Sequence, residues 1–387
     1  MTYTKASQTF QTTAFGDLDT ACSSPRIQIQ FPYNINTDEI VIATTGSGVV
    51  SFSQPFAVCS TTAATGSTAS LSSKNNLHYR TGQGGTCLLT AVFTPGVSGS
   101  TQLAGLANSL DGLFFGYNGD TFGINRRYNG MDNWIPQSSW NMDKMDGTGS
   151  SRVVLNPSVG NVYKIQMQWL GFGNIRFFIE NAAAGTFVLV HMIEYPNTFT
   201  DTSLLNPSMQ INIQANNTAN NTNIVVKCPS MAAFVEGVLI NTGLVNSINS
   251  GLKAITEAQS AVMTIRDNST FNGIANYKRV RPTNLALFCN DDDVVWSLIL
   301  NATIGGSPLF ANINANTSVV SYDITGTTIA GGRTLATYFT QNNNAVYIDL
   351  SNLQFDLNPL DRLTIAAKTM TDDGITAAAT INWKEEF

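Results

Sequence analysis

Apolar and polar residues alternate along most of this chain. In RIQIQF (26–31), Ile27, Ile29 and Phe31 fall on one face and Arg26, Gln28 and Gln30 on the other. VYKIQMQW (162–169) repeats the pattern, with Tyr163, Ile165, Met167 and Trp169 opposed to Lys164, Gln166 and Gln168. A period of two is that of a strand with one face on a core and one in water. CLLTAVF (87–93), GLFFGY (112–117), TFGINRRY (121–128), IRFFIE (175–180), TFVLVHMIEY (186–195) and MQINIQA (209–215) extend the series. Asn118-Gly119-Asp120 and Asn181–Gly185 supply hairpin turns between neighbouring strands. Residues 1–237 therefore predict a large antiparallel, jelly-roll-like sandwich.

A second run of strands begins near 262. VMTIRD (262–267), TNLALFC (283–289), VVWSLIL (294–300), SVVSYDI (318–324), AVYIDL (345–350), RLTIAAK (362–368) and AATINW (378–383) suffice for a smaller sandwich over 262–387. Between the blocks, 238–261 carries the one helical periodicity. Val245, Ile248, Leu252, Ile255 and Val262 fit heptad positions, with Gln259 at the remaining one. Gly243, Gly251 and three asparagines lower helix propensity there. Two readings stay open: a short oligomerising helix, or a linker. The fold class expected is all-β, two sandwiches joined by that segment.

Composition narrows the function classes. Of 387 residues only 12% are charged, against about a quarter in ordinary domains. Asn, Thr, Ser and Gln take the place of charge, as in NNTANNTN (216–223). Twenty basic and 26 acidic residues give a net charge of −6, which argues against nucleic acid as a partner. No apolar run reaches the roughly 18 residues of a spanning helix, so membrane insertion is not expected. The five cysteines (Cys22, Cys59, Cys87, Cys228 and Cys289) are odd in number and widely spaced. They read as small buried apolar residues of a reducing compartment.

Catalytic parts are scarce. His78 and His191 are the only histidines, and alternation puts His191 on the face of Phe187, Leu189 and Ile193, as a packed histidine. G-x-S-x-G, H-E-x-x-H, the dinucleotide fingerprint and the P-loop are all missing, and TGQGG (81–85) opens no helix. A glycan-cleaving enzyme needs two converging carboxylates, and among first-block strands only Glu180 and Glu194 are of note. No enzyme and no cofactor are expected. Asp291, Asp292 and Asp293, within NDDD, are the one candidate metal cluster, since Ca²⁺ takes oxygen ligands; an acidic turn explains them equally well. The stretch 116–149 concentrates Tyr117, Arg126, Arg127, Tyr128, Asp132, Trp134 and Trp140. Aromatic and arginine side chains supply contact energy at interfaces, and rings stack on sugars. These seven are the candidate contacts for a protein or a glycan.

YRTGQGG (79–85), LFFGYNGDTFGINRR (113–127), NVYKIQMQWLGFGNIRFFIEN (161–181) and SMAAFVEG (230–237) resemble virion proteins of large DNA viruses of algae and protists and of some aquatic phages. ATINWKEEF (379–387) is similar to the C-terminal strand and acidic tail of that group. The resemblance implies a non-enzymatic virion structural protein, a minor capsid, decoration or fibre-like component, made in the host cytoplasm. Its partners would be copies of itself, other virion proteins and a host-surface glycan. The alternative is a lectin-like carbohydrate-binding adhesin.

Overall fold

The computed structural model describes residues 22–237, 243–290, 293–353, 355–370 and 375–386. Two compact units divide the chain, Met1–Ile240 and Asn241–Phe387. Both are built from antiparallel sheets, as the alternation predicts.

The first unit begins with β1 (Ser23–Gln30), β2 (Ile40–Thr45), β3 (Val49–Ser53), β4 (Phe56–Ser60), β5 (Ser67–Ser73), β6 (Gly85–Phe93), β7 (Ser100–Ala107) and β8 (Gly112–Asn118). It continues with β9 (Thr121–Tyr128), β10 (Met131–Pro136), β11 (Asn161–Met167), β12 (Ile175–Asn181), β13 (Thr186–Ile193), β14 (Gln210–Asn217), β15 (Val225–Cys228) and β16 (Ser230–Glu236). Seven strands form one sheet in the order β10-β9-β8-β7-β14-β5-β2. Nine form the other, in which β13-β12-β11-β6 continues as β15-β4-β3 and also as β16-β1. The fork lies on β6, whose Val92 and Phe93 pair with β15 while Gly85–Leu89 pair with β16. Pro229 separates β15 from β16 and has no N–H to carry a ladder through.

The inward residues of both sheets make one core. Phe115 of β8 meets Tyr163 of β11 at 4.8 Å between ring centroids and Phe177 of β12 at 5.4 Å. All three are fully buried, and each such side chain stabilises the fold by roughly 1.5–3 kcal/mol. On β5 the water-facing positions are polar without charge: Thr68, Ser70 and Ser72 alternate with buried Ala69 and Leu71. At β12–β13 the register shifts between Phe177 and Phe178. This bulge buries Val190 and His191 side by side, so His191 does not share the face of Leu189 that strict alternation assigns. It remains a packed histidine, its Nδ1 accepting the Asn141 N–H at 3.2 Å.

The second unit has a five-stranded and an eight-stranded sheet around Trp296, Trp383, Leu287 and Ile365. The stretch 238–261 is corrected here. Residues 238–242 lie outside the described residues, and the rest is neither helix nor linker. Leu244–Asn249 and Lys253–Ile255 are strands paired with Ile375–Glu386, and Ser260 begins a third. Ile248 pairs with Ile381 and packs on the core. Glycine and asparagine there remove the helical option, and a ready sheet edge supplies the backbone bonds instead. The expected acidic tail is also corrected. Glu385 and Glu386 are buried strand residues, and Glu385 accepts from Trp383 Nε1 (2.9 Å), Ser318 Oγ (2.6 Å), Asn246 Nδ2 (2.9 Å) and the Val319 N–H (2.8 Å).

Candidate functional site

The seven residues expected to form one surface are divided by the parity of the sheet. On β8–β10 successive side chains point to opposite faces, and Arg126 and Arg127 part company for that reason. Tyr117 turns inward and is core. Trp140 is only 2% exposed and packs edge-on to Phe115 and Phe122, so it is no contact residue. Its place just after a hairpin made it look like a loop residue, but the loop folds back over the hydrophobic layer.

Arg127, Asp132 and Trp134 share the outer face of the seven-stranded sheet. Arg127 Nε binds Asp132 Oδ1 at 2.8 Å across the β9–β10 pair, and Asn125 Nδ2 donates to the same oxygen at 2.8 Å. The Arg127 guanidinium lies 5.4 Å from the centre of the Phe114 ring. Trp134 packs against Phe114, Leu103 and Ala107. These residues seal a small apolar patch, and the Arg127 guanidinium and the Asp132 carboxylate are engaged with each other.

Arg126 and Tyr128 belong to a different group, one that composition did not reveal. The Arg126 guanidinium sits 5.6 Å from the Tyr128 ring centre and 5.5 Å from that of Tyr195. Its Nη1 donates to the Ser203 carbonyl at 3.0 Å. Tyr195 donates its hydroxyl to the Thr202 carbonyl at 3.1 Å and stacks on Phe199 at 4.4 Å, with Phe172 at 6.3 Å. Phe199 is 49% and Phe172 39% exposed. Two loops, 168–174 and 194–209, bring these rings together. Gly171 makes the first loop possible, with φ at +79°, and at Gly173 a Cβ would strike the Gln168 carbonyl. The Ser203 N–H then donates to the Gly171 carbonyl at 2.8 Å and ties the loops. The signal in the sequence was an aromatic among turn residues twice over, LGFGN (170–174) and YPNTF (195–199).

Beside these rings lies a depression of about 240 Å³, lined by Gln166, Gln168, Asn174, Arg176 and Glu236 among others. Asn174 Oδ1 accepts the Tyr195 N–H at 3.0 Å, which fixes the rings to its rim. Glu236 Oε1 accepts from Gln166 Nε2 and, at 3.2 Å, from Thr86 Oγ1. Of the described lining residues Glu236 is the one carboxylate, whereas glycoside hydrolysis uses two, about 5 Å or more apart. Burial holds the His191 imidazole below its ordinary pKa, with Glu194 working against that shift. Among the described residues no three His, Cys, Asp or Glu side chains are grouped to hold a metal. Asp291 and Asp292 lie outside the described residues. Asp293 Oδ1 accepts the Asn342 N–H at 3.2 Å.

No family model and no curated protein matches the chain. Solved structures similar to it include β-agarase A of Zobellia galactanivorans (11% identity, TM-score 0.39, over 57% of this chain and 95% of that one). The β-glucanase of Bacillus licheniformis is similar at 11% identity and TM-score 0.36, over 56% of this chain and 98% of that one. The carbohydrate recognition domain of Emp47p is similar at 14% identity and TM-score 0.33, over 57% and 98%. At such identities these likenesses concern the all-β fold alone.

Proposed function

We propose that the protein is a non-enzymatic structural and attachment component of a virus particle that binds glycan through residues 22–237. The observation that carries the glycan reading is Phe199, a ring 49% exposed that stacks on the buried Tyr195, itself braced by Arg126, beside an amide-lined depression. An exposed ring stacks on the apolar face of a sugar, and amides donate to and accept from its hydroxyls. A single carboxylate in the depression supports binding rather than cleavage. The particle reading is supported by the resemblance of four segments to virion proteins and by a surface with few titratable groups for salt to disturb.

Two measurements test this. Glycan arrays probed with the full chain should return binding that Phe199→Ala reduces, and mass spectrometry of purified particles should find the protein. A chain that binds no glycan and is absent from particles contradicts the proposal.

A further inference from the structure

We infer that the outer face of the nine-stranded sheet is a track for a linear, neutral glycan several sugar rings long. The inference rests on the glycan-binding reading and extends it from a loop patch to a polymer site. A second depression, of about 410 Å³, lies on this face, lined by Gln28, Gln30, Thr90 and Ser230 among others. The 240 Å³ depression beside Tyr195 lies on the same face, with Gln166, Gln168 and Glu236 in its wall. Strand β16 joins them, running from Ser230 in the first to Glu236 in the second, about 20 Å of extended chain.

What lies between fits a sugar chain. The burial of β16 alternates, with Ala233 and Val235 in the core and Phe234 half-buried on the outer face. Phe234 pairs with Thr86, which in turn pairs with Gln166. The track thus reads amide, aromatic ring, amide along its length. Amide groups both donate and accept, as a run of hydroxyls requires, and the ring offers a floor for one sugar face. A nucleic acid would need a row of Lys and Arg along its phosphates, and these walls are mostly uncharged. A peptide added as a strand needs a free sheet edge, and β16 and β6 are interior strands paired on both sides.

Titration of the full chain with neutral gluco-, manno- and galacto-oligosaccharides of one to six rings tests the track. In at least one series affinity should rise tenfold or more between the disaccharide and the longer members. Phe234→Ala and, as an exposed-surface variant that leaves the core untouched, Gln30→Ala should flatten that rise while leaving the disaccharide affinity in place. Affinity independent of length, yet sensitive to Phe199→Ala, overturns the track and leaves the loop site standing. Binding only to polyanionic glycans overturns the track through its neutral chemistry. No binding to any glycan overturns both.

Discussion

Tyr195 and Phe199 lie nearly face to face, with ring centroids 4.4 Å apart and planes 23° from parallel. The pair is held from beneath by Arg126, whose Nη1 reaches the Ser203 carbonyl. One guanidinium therefore orders a loop that carries an exposed ring. Cation–π contacts of this kind contribute about 0.5–2 kcal/mol. Arg126→Ala should raise amide hydrogen exchange in 195–205 by tenfold or more and change the melting temperature little. Exchange confined to wild-type rates would show that the loop orders itself.

Glu385 is the polar keystone of the second unit. Four donors converge on its carboxylate, and the residue is fully buried. Removing one partner of such a network leaves the others unsatisfied, at about 1–3 kcal/mol each. Glu385→Ala should cost about 3–5 kcal/mol in the unfolding free energy of the second unit, measured by denaturant titration. A loss below about 1 kcal/mol would contradict this.

Asp267 gives that unit a pH dependence. Burial pushes its carboxyl up to about 9, and Glu385 and Asp361 push in the same direction, while a hydrogen bond from Asn276 opposes the shift. An unfolded aspartate titrates near 3.9. Between these values the folded chain holds a proton that the unfolded chain has released. Stability from this group is therefore full below about pH 4 and is lost progressively as pH rises toward 9. Asp267→Asn should flatten that slope in melting curves of the full chain; an unchanged slope would assign it elsewhere.

The buried thiols are inert. Burial pushes Cys59 and Cys228 up to about 12 and raises Cys87 as well, and Cys289 is also buried while Cys22 is exposed. Since the thiolate is the reactive form, a maleimide should label one thiol per native chain, at Cys22, and five after denaturation. Fast native labelling of Cys87 would mean that the first unit opens.

Period-two alternation made the sheets readable. RIQIQF and VYKIQMQW became β1 and β11 with the expected faces inward. The seven strands expected after 262 all form, joined by the unforeseen Arg333–Thr340 and by short strands such as Thr303–Gly305 and Thr328–Ala330. Local pattern failed where pairing decided the outcome. The heptad-like spacing of Val245 and Ile248 yields to a sheet edge, and a bulge moves His191. The candidate site was half legible. Arg126 and Tyr128 were found, but Phe172, Tyr195 and Phe199 join them only because topology brings two separate loops to one end of the sheet. Grouping Arg127 and Trp134 with them overlooked the alternation that sends neighbours to opposite faces, and Trp140 is taken into the core by the loop that follows β10.

Equilibrium titration of an array-selected glycan against three chains tests glycan recognition most directly: wild type, Phe199→Ala, and Phe339→Ala, a ring 63% exposed in the second unit. Loss of one aromatic stacking contact is about 1–1.5 kcal/mol, or roughly tenfold in Kd. The predicted result is a loss of about tenfold or more in Phe199→Ala alone, with all three chains melting alike. Equal affinity in Phe199→Ala and wild type, or no measurable affinity in wild type, would contradict it.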